Sequence, residues 1–212
     1  MSSFTSQVRG LIHTIADQFE LGPSLARLAI IEFSSSARIA TPLTTSRSTV
    51  NNVISYYRPS GGTAISKGLD KAKAILLDRS GVRQGVNRVV LLLTDGVQNS
   101  YYGGDRAAIA AGVNLRQSTL ATVIAVGFGG AARQTLDAIA SPPAQMHSYK
   151  GTSLADLSAR LANMCALVAS PRTPPPSQPP PVPPPSPSPV APPPARCNGV
   201  SRILDPNLAN GM

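Results

Sequence analysis

The 212-residue sequence predicts an α/β fold of three layers, a mostly parallel central sheet with helices on both faces, and three observations predict it. Val89-Val90-Leu91-Leu92-Leu93 is apolar without alternation, the pattern of a strand covered on both sides. Such strand-like runs alternate along the chain with segments whose apolar residues recur every three or four positions. The 89–93 run leads straight into Thr94-Asp95-Gly96, which puts a carboxylate at the carboxyl end of a strand, where parallel sheets collect their ligands.

Each element has its own local reason. Phe4, Val8, Leu11, Ile12, Ile15 and Phe19 make one apolar face and so a first amphipathic helix. Arg27 to Phe33 reads as a strand, and Ala37 to Leu43, interrupted by Pro42, as a short edge strand joined to it through Ser34-Ser35-Ser36. Thr49 to Tyr57 is a short helix, and Ala64 to Asp78 a longer one stopped by Ser80-Gly81. Beyond Gly96, Asp105 to Gln117 carries Ala, Ile and Val at helical spacing, and Leu120 to Val126 is another apolar strand. A helix from Ala131 to Ala140, a weak strand around Met146 to Tyr149 and a helix from Ser153 to Val168 complete the series. The alternation implies right-handed crossovers and a mostly parallel sheet.

Composition divides the chain in three: a globular stretch over 1–169, a Pro-rich stretch over 170–195 and a short end over 196–212. At 42% hydrophobic and 14% charged residues it has enough apolar material for one core but little charge for a soluble domain. The run Pro171 to Pro194 lacks amide donors at its prolines and is expected to be polyproline II, a semi-rigid spacer rising about 3.1 Å per residue. Arg196 to Met212 is too brief to fold alone and reads either as the stub of another module or as a terminal extension.

Two loops carry chemistry. Asp95 can bind a cation, orient a substrate, or serve a turn or cap. One βα unit earlier, Tyr57-Arg58-Pro59-Ser60-Gly61-Gly62-Thr63-Ala64-Ile65 sets a hydroxyl after two glycines that let the backbone turn tightly, at the start of a helical pattern. Thr63 is there either a helix N-cap or an oxygen ligand to a hard cation. A Gly-Gly-Thr loop, an apolar strand ending in Thr-Asp-Gly and amphipathic helices between them resemble the von Willebrand factor type A family, including the integrin-inserted domains.

The resemblance implies a metal-ion-dependent adhesion site in which Thr63 and Asp95 take the fourth and fifth ligand places around Mg²⁺, or Mn²⁺ or Ca²⁺. It implies a partner protein that completes the coordination with an acidic residue. It also implies a first motif, Asp-x-Ser-x-Ser, at the end of a first strand, and that motif occurs nowhere in this sequence, which starts Met1-Ser2-Ser3-Phe4 just ahead of the first helix. The expected fold therefore lacks its first central strand. The expected metal site keeps two of five side chains, so divalent metal should bind this chain weakly or not at all.

Other motifs read more plainly. Gly127-Phe128-Gly129-Gly130 is not G-x-G-x-x-G and is expected to be a turn. His13 and His147 have no metal-spaced neighbours, and Asp70, Asp78, Asp105, Asp137 and Asp156 look like solvated helix faces, with Asp105 near enough to Asp95 in sequence to line the same rim. No Gly-x-Ser-x-Gly elbow is present, so an enzyme is not expected. The formal charge of +9 and pI near 10.3 come from scattered Lys and Arg, clustered only at Lys67, Lys71 and Lys73, which argues against nucleic acid and for anionic protein partners or an acidic polysaccharide. No stretch of about 20 apolar residues is there to span a membrane, and no signal peptide or Asn-x-Ser/Thr acceptor is seen. Cys165 is an orphan, a partner of Cys197, or a buried thiol.

The function expected is a metal-dependent adhesion or protein-binding module of an extracellular or matrix protein, the Ser-Pro and Pro-Pro tract resembling the spacers of plant-type matrix glycoproteins. The alternative is a structural Pro-rich wall or matrix protein whose globular part no longer binds metal. An intracellular scaffold or hydrolase-associated domain of the resembling family is the third class.

Overall fold

A computed structural model describes residues 3–58, 61–78 and 81–151. The expected helix over 153–168, the Pro-rich stretch, the short end, Cys165 and Cys197 lie outside the described residues. The chain runs α1 (Ser3–Asp17), β1 (Leu28–Phe33), β2 (Ala37–Thr44), α2 (Arg47–Tyr56), α3 (Ile65–Leu77), β3 (Val89–Thr94), a 3₁₀ turn (Ser100–Tyr102), α4 (Gly104–Thr119), β4 (Thr122–Gly127), α5 (Arg133–Ile139), α6 (Ala144–His147) and β5 (Ser148–Lys150).

The parallel pairing of β3 with β4 organises the layers, in register from Val89 opposite Thr122 to Thr94 opposite Gly127, with β5 parallel on the far side of β4. Strand side chains alternate between faces, and both faces are apolar. On one side Val90, Leu92, Val123 and Ala125 join Leu69 and Ala72 of α3, Ala108 and Leu115 of α4, and Leu136 and Ile139 of α5. On the other, Val89, Leu91, Leu93, Ile124 and Val126 join Val8, Leu11 and Ile15 of α1. Three layers result, helix on sheet on helix, as the unalternating apolar strands imply.

The sheet itself is in two pieces. β1 and β2 form an antiparallel pair, β3, β4 and β5 a parallel trio, and among the described residues no strand joins β1 to β3. Both pieces keep their places through helices. Leu28 and Ile30 of β1 pack on Val50 and Ile54 of α2, while Ile31 and Phe33 reach the α3 side. Pro42 is exposed on β2, where a missing backbone donor costs nothing, as expected of an edge.

The late elements differ from the sequence reading. Met146 belongs to the short helix α6, and the strand expected from Met146 to Tyr149 begins only at Ser148, because the chain turns after Pro142-Pro143 before it can pair with Ala125. His147, expected in that strand, ends α6 with Nδ1 3.0 Å from the Ser141 carbonyl. Leu120 is not a strand residue but the left-handed cap of α4, with φ of 56° and its side chain exposed. Arg116, one turn earlier, donates to the Ala138 and Ile139 carbonyls at 3.0 and 2.5 Å and also to that of Ala140, satisfying the end of α5.

Close helix approach depends on Gly112, where an added Cβ would meet the Ile139 Cα at 3.1 Å. That neighbour is backbone and cannot rotate away. Gly112→Val should therefore destabilise the domain by about 1–3 kcal/mol through overpacking at the α4–α5 contact, read as a lower midpoint in urea with an unchanged slope.

Candidate metal site

The two chemistry-bearing loops meet at the carboxyl edge of the sheet. The backbone N–H of Asn99 donates to the Thr63 carbonyl at 2.9 Å, tying the loop after β3 to the one before α3. A Cβ placed on Gly96 would fall 3.1 Å from Thr63 Oγ1, so the hydroxyl lies against the residue that follows Asp95. Thr63 and Asp95 both line the rim of one cleft.

Each carboxylate and hydroxyl can be placed. Asp95 is exposed, and among the described residues no donor is hydrogen-bonded to its carboxylate. It caps no helix, since the 3₁₀ turn that follows is capped by Asn99, whose Oδ1 accepts from the Tyr101 N–H at 2.8 Å. Thr63 does not cap α3 either. The N-cap of α3 is Ala64, which has no side-chain cap bond, because the Ala64 N–H is drawn to the Ser34 carbonyl at 2.7 Å and the turn starts one residue late. The capping alternatives thus fall away for both residues. Asp105 lies in the first turn of α4 and is exposed, the plain helix-start position. Gly127-Phe128-Gly129-Gly130 is a turn that packs beneath Asp95, with the Gly130 N–H donating to the Asp95 carbonyl at 2.9 Å.

Several residues that hold the site carry no sequence signal. Gln98, 3% exposed, accepts from the Ser66 N–H at 3.1 Å and donates to Ser66 Oγ and the Tyr102 carbonyl at 2.7 and 2.9 Å, clamping the Asp95 loop to α3. Lys67, expected to belong to a basic cluster, sits 4.5 Å over the Tyr102 ring and donates to the Ser35 carbonyl at 2.8 Å, while Lys73 pairs with Asp70 at 3.6 Å. Arg9 of α1 donates to the Tyr57 carbonyl at 2.6 and 3.1 Å. The Tyr57 phenol is pushed above its ordinary range first by burial, then by the nearby Asp95 and Glu32 charges.

One carboxylate and one hydroxyl are two of the roughly six oxygens a hard cation takes. Among the described residues no group of three or more His, Cys, Asp or Glu is gathered. The residues present fit part of a divalent-metal cage and not a whole one. None of the described helices is long and apolar enough to cross a membrane.

An α/β three-layer domain with its ligand edge built from a Gly-Gly-Thr loop and a Thr-Asp-Gly loop defines a class. The family model of the von Willebrand factor type A domain matches residues 1–162, and the chain belongs to that family. Among solved structures it is similar to proximal thread matrix protein 1 of the mussel byssus, described with a zinc-occupied MIDAS motif, at 27% identity and a TM-score of 0.64 over 76% of this chain and 40% of that one. The fold is shared with the manganese-loaded TRAP protein of Plasmodium vivax, at 22% identity and a TM-score of 0.55 over 76% and 65% of the two chains. It is shared too with the vWF domain of the pilus tip protein Mfa5 of Porphyromonas gingivalis, at 11% identity and 0.62 over 77% and 86%. The chain thus matches less than half the length of the mussel protein.

Because the folded state favours the neutral Tyr57 phenol, the stability this contributes is full below the unfolded pKa and is lost as pH rises through the raised folded value. Ultraviolet titration should show one tyrosine ionising above the ordinary 10.0, absent in Tyr57→Phe and lowered in Asp95→Asn without returning fully, since burial is the larger cause.

Proposed function

We propose that the chain is a metal-ion-dependent adhesion or protein-binding module of an extracellular matrix or surface protein, and that its output is binding rather than turnover. The observation that carries this is the junction of two loops at one sheet edge, where Thr63 Oγ1 and an Asp95 carboxylate that no described residue hydrogen-bonds share the rim of a cleft. Asp95 would hold a divalent cation, Mg²⁺ or else Mn²⁺ or Ca²⁺, through its carboxylate, and Thr63 through its hydroxyl. A bound cation supplies a positive centre that an acidic residue of a partner protein can join in a charge-assisted contact. With two side-chain oxygens the site is incomplete in this chain, and water and the partner's carboxylate make up the rest.

Two further observations support the placement. The mussel protein is a byssal thread matrix protein, and the Pro-rich stretch over 170–195 suits a spacer between matrix modules. The net charge of +9 favours an acidic polysaccharide as an additional ligand in such surroundings. The site offers one carboxylate and one hydroxyl, which also favours the second reading, a structural wall or matrix protein whose domain has lost its metal.

Mn²⁺ binding followed by electron paramagnetic resonance separates the two. The first reading expects weak, saturable binding that is lost in Asp95→Ala and weakened several-fold in Thr63→Ala, consistent with removing a charged and a neutral oxygen ligand. Binding unaffected by Asp95→Ala, or no saturable binding at all, would leave the structural reading standing.

A further inference from the structure

The loop after Asp95 holds a tyrosine out into solvent on a well-fastened turn. Tyr101 is 86% exposed and Val97, in the same loop, 47% exposed, so neither serves the core. The backbone beneath them is tied down. The Tyr101 N–H donates to Asn99 Oδ1 at 2.8 Å, the Tyr102 N–H to the Asn99 carbonyl at 2.9 Å and the Gly103 N–H to the Ser100 carbonyl at 3.0 Å, while Gln98 donates to the Tyr102 carbonyl at 2.9 Å. Tyr102 is held a second time, by Lys67 at 4.5 Å from its ring centroid. The two tyrosine rings stand at 85° with centroids 5.2 Å apart, which makes a right-angled apolar corner at the surface.

The chemistry of this corner selects its partner. The amides of residues 101–103 are consumed by the turn's own hydrogen bonds and cannot extend a sheet. Two rings and one valine are too few to seat the successive anchors of an amphipathic helix. A polyproline II segment needs neither: it has no internal hydrogen bonds, and its prolyl rings dock against aromatic side chains. Both surfaces are stiff before they meet, so little conformational freedom is lost on contact. Charge adds to the match. Asp105, in the first turn of α4, is exposed, and among the described residues it is in no ion pair. Arg106 projects about 100° away from it around the helix. The sequence itself holds a complementary segment: Pro174-Pro175-Pro176 and Pro179-Pro180-Pro181-Val182-Pro183-Pro184-Pro185 lie in a run that is uncharged from Thr173 to Ala195 and is bounded by Arg172 and Arg196.

We propose that the Tyr101–Tyr102 corner is a docking site for the Pro-rich stretch over 170–195 of a second copy of this chain. Prolyl rings rest against the two tyrosines and Val97, and a flanking arginine pairs with Asp105. Because the two contributing surfaces differ, the contact is heterologous and joins copies head to tail. The site goes beyond the metal reading and does not depend on it.

Sedimentation of the full chain, in EDTA and a thiol reductant, should show mass rising with concentration, and an acetylated, amidated peptide of residues 171–196 should reverse the rise by competition. By titration calorimetry at low protein concentration, Tyr101→Ala should weaken peptide binding by about tenfold or more, as expected when a central tyrosine is truncated. Tyr101→Phe, which keeps the ring, should retain most of the binding, and Asp105→Asn should weaken it several-fold. Peptide binding left unchanged by Tyr101→Ala would overturn the proposal. Equal binding of a peptide with glycine and serine in place of its prolines would mean charge alone and overturn it too, as would a chain that sediments as a monomer at every concentration. EDTA and the reductant keep metal and the thiols of Cys165 and Cys197 out of the result, so it stands apart from the Mn²⁺ experiment.

Discussion

The parallel pairing of β3 with β4 is the constraint on which the rest depends. It aligns Val90 and Leu92 with Val123 and Ala125 on one face and Leu91 and Leu93 with Ile124 and Val126 on the other, so a single backbone ladder generates both apolar layers. The same ladder ends with Thr94 opposite Gly127, after which the two chains separate. Asp95 therefore emerges where the β3–β4 ladder stops, with the Gly129-Gly130 turn beneath its carbonyl and, among the described residues, no hydrogen bond to its side chain. Gly129, at a left-handed φ of 56° that favours glycine, would place a Cβ 3.3 Å from the Asp95 carbonyl oxygen. Packing, in this part of the molecule, is what presents the carboxylate.

Much of this was legible in the residues. The unalternating run at 89–93 announces a strand covered on both faces, the apolar stretch expected as a strand over 120–126 does form β4 but only from Thr122, and Val8, Leu11 and Ile15 emerge as the buried face of α1 because helical spacing brings them together. Pro42 marks an edge for a reason that holds in any sheet, its missing amide. Elsewhere local preference yields to a distant partner. Ala64 becomes the cap in place of Thr63 because its amide is claimed by Ser34, thirty residues back, and Met146 stays helical because pairing with β4 starts only at Ser148.

The supports of the site were not legible, for the same reason. Gln98 looks like any surface glutamine in a loop, and only the fold shows that Ser66 and Tyr102 consume both ends of its amide. Arg9 and Arg116 are part of the scattered positive charge, and each gives its guanidinium to backbone carbonyls more than twenty residues away. Charge counting from sequence overstates how much of the +9 is free to meet a ligand's functional groups, since part of it is spent on carbonyls inside the domain.

The contact between Arg9 and Tyr57 has a mechanical side. Two hydrogen bonds from one planar guanidinium fasten α1 to Tyr57, the residue that caps the end of α2. Because one planar group makes both bonds, they form and break together, and the approach of α1 to the end of α2 is fixed in direction as well as in distance.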